Sequence, residues 1–457
     1  MKYKVLFNNL KLAKMELHTQ TFIERNMGLI KLATIFFLAV MLLIPTAMIR
    51  SLVVERKSRQ AEATSEIVSK WGNEQRITGP ILAVPYYTYD LDKDNKKTNE
   101  EKQLAYFLPD GLTISGKMLP EVRYRGIFQV AVYSTDIKIN GSFNSLNLDL
   151  SGKYTLIDWK GAFLTIGISD LRGINDSISF SWNDSRLECE PGVKIGEMIK
   201  SGITVNNILE KEPKDESFTF SAEISLKGSR NLSFVPVGKE TVVNINSLWS
   251  NPSFEGAFLP VSRKISDDGF SASWRVLELN RNYPQKWHGT THNLDESAFG
   301  VSLMLAVDSY QIAERSMKYA ILFISLTFMV FFFVEILRKL KLHPIHYILV
   351  GFGLVLFYLL LLSLSEHIGF GLAYIIASVG IIALITSYSQ SIFKNNRLSL
   401  LLAVFLVILY SLLYILLQMQ DYALLMGSIS LFIILALVMY LSRNIDWYSI
   451  GRRSEEG

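Results

Sequence analysis

The stretch Ile345–Ile385, IHYILVGFGLVLFYLLLLSLSEHIGFGLAYIIASVGIIALI, contains one carboxylate, Glu366, and no lysine or arginine. A helix apolar on every face is stable only in lipid, where its backbone groups are satisfied internally and its side chains need no water. The same composition continues to Leu441, broken only by short polar connectors, and one more apolar run covers 29–49. Counting runs of about 20 apolar residues predicts six spans. They fall at 29–49, 319–337, 345–364, 368–387, 398–417 and 422–441.

The connectors set the threading. Arg338, Lys339 and Lys341 follow the second span, Lys394 and Arg397 the fourth, and Arg443, Arg452 and Arg453 the sixth. The alternate connectors hold Glu366 and His367, and Gln418, Gln420 and Asp421, with no lysine or arginine. The excess of basic residues marks the cytoplasmic side, which predicts cytoplasmic termini and an exported segment between the first two spans. The first span is ambiguous alone: Lys2, Lys4, Lys11, Lys14 and Arg25 precede it, and Arg50, Arg56, Lys57 and Arg59 follow. Its length and the absence of a small-x-small site at Thr46–Arg50 predict an uncleaved anchor and not a signal peptide. The predicted organisation is a cytoplasmic tail (1–28), a first span (29–49), a periplasmic β-rich domain with entry and exit helices (50–318), a five-helix bundle (319–441) and a second cytoplasmic tail (442–457).

The segment before the second span has the composition of a water-soluble protein. Leu52–Trp71 reads as a helix, with Ala61, Thr64, Ile67, Val68 and Trp71 as a stripe, Glu55–Arg59 and Glu66–Lys70 at i,i+4, and Gly72 as its stop. Beyond it the period changes to two. Phe218, Phe220, Ala222, Ile224 and Leu226 alternate with polar residues, as do Ser177–Trp182, Phe270–Leu279, Val130–Tyr133 and Leu146–Leu150. Turns are expected at Gly79-Pro80, Pro109-Asp110-Gly111, Asn140-Gly141, Pro191-Gly192 and Asp268-Gly269. Asp92–Lys97 reads as an exposed hairpin tip. Many short strands of this kind predict a sandwich-like domain, with six of the seven tryptophans as core. The expected fold is therefore an α+β membrane protein, six transmembrane helices with a large β-rich exported domain between helices 1 and 2.

Little chemistry is legible. The net charge of +4 gives no reason to expect nucleic acid. Cys189 is the sole cysteine, so no intrachain disulfide forms, and Glu188 and Glu190 on the opposite strand face turn it inward. His288 and His292 have metal-ligand spacing for a helix but sit in Gly-Thr-Thr-Asn loop composition, so no metal is expected. No nucleophile elbow, Walker loop or dinucleotide fingerprint occurs. Lys31, Glu335 and His346 are placed near the cytoplasmic boundary, where they can stay wetted, and Glu366 and His367 in a wetted outer turn. Gly351, Gly353 and Gly380 are read as close-packing positions, and Tyr358 and Tyr374 as packing residues.

Several segments together resemble the CreD family of bacterial inner-membrane proteins. They are Glu55-Arg56 through Arg59-Gln60-Ala61 to Trp71-Gly72, with Gln75, Gly79-Pro80-Ile81-Leu82 and Val84-Pro85-Tyr86. Next come Trp249, Pro252-Ser253-Phe254, Gly256, Phe258-Leu259-Pro260, Gly269-Phe270 and Trp274. The series ends with Phe299-Gly300-Val301, Val307-Asp308, Tyr310, Arg315, His343-Pro344 and Leu362–His367. The resemblance implies a role in cell-envelope integrity, linked to carbon-source regulation and to tolerance of colicins and β-lactams, with no agreed biochemical activity. The expectation is a non-catalytic protein with no cofactor, no metal and no catalytic residue. Its partners are the lipid bilayer and an unidentified envelope or inner-membrane protein. Alternatives are a transporter of a small or amphipathic solute through the carboxy-terminal bundle, and a membrane-bound enzyme acting on lipid or wall precursors.

Overall fold

A computed structural model describes residues 27–443, apart from 95, 145, 147–154, 214–215, 290–291, 306–308, 339, 341 and 420–421. Two compact units emerge: a β-rich unit, Gln60–Ala306, and a helical unit drawn from the described residues on either side.

In the helical unit, α1 (Met27–Met41) and α2 (Leu43–Trp71) replace the single predicted first span and its exit helix. The break at Leu42 follows from Pro45, which has no N–H for the Met41 carbonyl and crowds it with its ring. The helical pattern resumes with Thr46 N donating to Leu42 O at 3.3 Å. Carboxy-terminal to the β unit come α3 (Ser309–Lys318), α4 (Ala320–Leu337), α5 (Pro344–Ile368), α6 (Phe370–Phe393), α7 (Asn396–Gln418) and α8 (Ala423–Ser442). Among the described residues, five helices are long and apolar enough to cross a membrane: the one beginning at Leu29, and α4 to α7. Ends are capped as the local chemistry requires. Pro344 occupies the first turn of α5, Lys394 closes α6 in the left-handed region, and Asn395 accepts from Arg397 N and Leu398 N to start α7. Of the three glycines read as packing positions, only Gly351 is crowded: a Cβ there would collide with Leu42 and press on Phe328. Gly353 has ordinary clearance to Ile385, and Gly380 faces open space.

The β unit holds two mixed sheets over one continuous apolar core. The first runs Pro252–Gly256, Phe299–Leu303, Asn231–Val235, Gln75–Leu91, Phe163–Ile168, Gly202–Val205 and Cys189–Pro191. Lys97–Phe107 and Thr155–Ile157 also pair with Gln75–Leu91, and Lys286–His288 extends Lys97–Phe107. The second runs Ser262–Ser266, Gly269–Leu277, Glu240–Ser247, Gly111–Arg125, Phe128–Asn144, Ser217–Ser229, Ser179–Trp182 and Ser185–Leu187. Alternation is clean where one face is wet, as in Ser217–Ser229, while Ile77–Tyr86 is buried throughout. Trp182 and Trp274 are buried in the core, and Trp182 stacks on Phe218 at 5.2 Å. Cys189 packs half-buried against the same core.

Two expected turns are strand interior. Asn140-Gly141 lies inside Phe128–Asn144, where Gly141 faces Phe220 and a side chain would strike its ring. Gly79-Pro80 lies inside Gln75–Leu91 and marks a register shift between Thr78 and Ile81. The Asp92 tip is as expected, its Oδ1 accepting from Asp94 N and Lys96 N. Of the predicted Leu146–Leu150 strand, residues 147–150 lie outside the described residues.

Candidate functional site

A polar network centred on the buried Gln75 and Asp170 gathers where α2 ends. Gly72 N donates to Val68 O, and Asn73 then turns its backbone N–H and side-chain amide onto Asp170 Oδ2, at 3.0 and 2.9 Å. Arg172 donates from its backbone N and Nε to Asp170 Oδ1, from Nη2 to Oδ2, and from Nη1 to Ser69 O in the last turn of α2. Gln75, fully buried, bridges Asp170 O and Lys227 O with its amide and accepts from Asp170 N. The hydrogen-bonded Arg172 guanidinium holds the Asp170 carboxyl at about 2, below its ordinary range, against the opposing effect of burial. Trp71 completes the joint. Its Nε1 donates to Tyr133 O at 3.2 Å, and the Arg123 guanidinium sits 3.8 Å from its ring centroid. Of the stripe predicted for this helix, Thr64 is buried and Ile67, Val68 and Trp71 are half-buried, whereas Ala61 is exposed and Ala63 is buried in its place.

Beside this network lies a cleft of about 700 Å³. Its floor is one face of three neighbouring strands, where Arg76 stands opposite Ser233 and Thr78 opposite Gly167. One wall is 197–201, which approaches the sheet because Gly167 has no side chain; a Cβ there would come within 2.8 Å of Ile199 Cγ2. The other wall is 292–295, tied to the floor by Arg76 Nη1 and Asp295 Oδ1 at 3.2 Å. His292 lies edge-on to Trp287 at 5.2 Å and His288 edge-on to Tyr86 at 6.1 Å, so each imidazole packs on a different ring.

Of the ionisable groups that the sequence placed at wetted positions in the helical unit, Glu335 and Glu366 are paired and largely buried, Lys31 and His346 are half-buried, and His367 is exposed as expected. Glu335 is 3% exposed and accepts from Lys31 Nζ, from Leu342 N at 2.7 Å and from Tyr347 Oη at 3.0 Å. His346 Nδ1 bonds Tyr388 Oη at 2.8 Å. At the opposite end of α5, Glu366 lies in the last helical turn and not in a wetted loop. Its side chain is 10% exposed, 3.6 Å from Arg56 Nε, and accepts from Tyr310 Oη at 3.0 Å. Arg50 and Glu314 form a second pair at 3.6 Å. Roughly 28 Å of helix separates Tyr347 from Glu366 at 1.5 Å per residue. Between them lies an aromatic cluster in which Phe357 touches Tyr358, Tyr374 and Tyr410, with centroids 4.7–5.4 Å apart. Tyr374 Oη donates to Tyr410 O. Tyr358 and Tyr374 are thus packing residues, as their sequence context suggested. The geometry of the two carboxylates is that of helix-to-helix fastening, since each is held by a cation and a tyrosine hydroxyl from other helices.

The sequence profile described as inner membrane protein CreD matches residues 28–448. The inner membrane protein CreD of Escherichia coli (strain K12) is 34% identical over 425 residues, covering 92% of this chain and 94% of that protein. The chain belongs to the CreD family. Membership makes it an inner membrane protein with several apolar helices. Asp170 and Glu335 spend their acceptor capacity on neighbouring donors, and Cys189 is a half-buried thiol whose pKa burial raises. Sequence reasoning missed Asp170 and understated Glu335. The nearest available signal was the occurrence of a carboxylate in a run otherwise as apolar as Ala320–Leu337.

Proposed function

We propose that this CreD-family chain is a six-span, non-catalytic protein of envelope homeostasis. Residues 50–318 are exported to the periplasm, α8 is the sixth span, 319–441 form the five-helix bundle, and the tails 1–28 and 442–457 are cytoplasmic. The basic connectors support this threading. The observation that carries the functional reading is α2 itself. It runs without interruption from Leu43 to Trp71, with no Gly/Ser linker, and its last turn is fastened by the Asp170–Arg172 network. In this reading a change of state in the β unit reaches the bundle through the chain of α2. A Gly/Ser insertion after Val54 then abolishes function while leaving expression intact.

The test has two parts. In a Cys189→Ser background, Lys96→Cys reacts with an impermeant thiol reagent in cells whose outer membrane is permeabilised, whereas Asn396→Cys reacts only after the inner membrane is opened. The reverse pattern overturns the threading. Loss of the protein sensitises cells to detergent or β-lactam stress, and rescue requires both the exported part and the bundle. Unchanged sensitivity refutes the envelope role.

The transporter alternative is tested at Glu366. Glu366→Gln keeps an acceptor for Tyr310 and Arg56, so rescue is retained, with stability lowered by about 1 kcal/mol at most, as for loss of a partly screened pair. A Glu366→Gln protein that reaches the membrane yet fails to rescue favours proton-coupled transport instead.

A further inference from the structure

The cleft on the outer face of the first sheet carries a ligand assignment of its own. At about 700 Å³ it falls within the usual size of small-molecule sites, roughly 300–1,000 Å³. Its chemistry excludes most ligand classes. Among the described residues no phenylalanine, tyrosine or tryptophan lines it, and its one aromatic ring, His292, is already engaged edge-on with Trp287, so it offers a poor stacking platform for a nucleobase or a sugar ring. The carboxylates Glu74, Glu197 and Asp295 oppose a polyanion such as a phosphorylated ligand, and Arg76 and Lys200 oppose a polycation. What remains is a ligand carrying one charge of each sign. Arg76 commits Nη1 to Asp295 and Nε to Ser233 Oγ, which leaves donors of its fork for an incoming carboxylate. Lys200, Glu74 and Glu197 are exposed on the rim, while Ser233 and Asn293 spend their side chains on Arg76 and Gln75 and on Glu296 and Asp295.

We propose that this cleft binds a short zwitterionic peptide, its carboxylate toward Arg76 and Lys200 and its ammonium toward Glu74 and Glu197. The assignment concerns the β unit alone and holds whichever side of the membrane that unit occupies. Full-length protein in nanodiscs is titrated calorimetrically with trialanine, with N-acetyl-trialanine amide, which lacks both charges, and with maltotriose. Trialanine binds saturably, and the blocked peptide and the sugar bind at least about tenfold more weakly, as expected when charge-assisted hydrogen bonds are lost. Lys200→Glu and Glu197→Lys, both at exposed positions, each weaken trialanine by about tenfold while the thermal midpoint of the protein is unchanged. Equal binding of the blocked peptide overturns the proposal, as does preferential binding of maltotriose. So does affinity indifferent to both charge reversals, or the absence of saturable trialanine binding up to about 10 mM, a concentration that detects even very weak complexes.

Discussion

Glu335→Ala lowers the stability of the helical unit by about 3–5 kcal/mol, the range seen when one partner of a buried ion pair is removed. The substitution strips Lys31 of its counter-charge and leaves Leu342 N and Tyr347 Oη without their acceptor. The loss is read as a fall in the midpoint of unfolding by a denaturing detergent. Glu335→Gln loses less, because the amide oxygen still accepts from both uncharged donors. Lys31→Met combined with Glu335→Met recovers only the part due to the unpaired Lys31 charge, since Leu342 N and Tyr347 Oη still lack their acceptor. If Lys31→Ala and Glu335→Ala prove additive in a double-mutant cycle, the two residues are not coupled and the assignment fails.

In the β unit, Asp170→Ala costs about 1–3 kcal/mol, because the charge-assisted hydrogen bonds from Asn73 and Arg172 are lost, although both donors are exposed and can turn to water. The loss appears as a lower urea midpoint. The acid limb of stability carries the same signature. With its pKa depressed to about 2 from an ordinary 3.8, the Asp170 carboxylate favours the folded state fully above pH 3.8. That contribution disappears as the pH falls from there toward 2, where folded and unfolded forms are both protonated. The urea midpoint followed by tryptophan fluorescence therefore drops across that window in the native protein more than in Asp170→Asn. Identical acid limbs in the two proteins would refute the role given to the carboxylate.

Strand existence was legible where alternation was strict. Ser217–Ser229 and Gly269–Leu277 lie within three residues of the alternating runs, because a half-buried strand must alternate. Turn chemistry misled at Gly141, where glycine answers to the bulk of Phe220 across the ladder and not to a reversal of the chain. Sequence order also hid the parallel pairings, such as Gln75–Thr78 with Leu232–Val235, whose strands are far apart in the chain.

Composition alone determined that the protein belongs in a bilayer, because the continuous apolarity of Ile345–Leu441 is a local property that no tertiary arrangement reverses. Ordered signature residues were enough to indicate the family. The tertiary structure decided which ionisable groups are buried and what each one holds. Lys31 and Glu335 are 304 residues apart, Asn73 and Asp170 are 97 apart, and the cleft draws on five separate segments between 74 and 295. Periodicity reports only the face on which a residue sits. A carboxylate becomes a buried fastening when the fold brings it a cation and a hydroxyl, and that proximity is a property of three-dimensional packing.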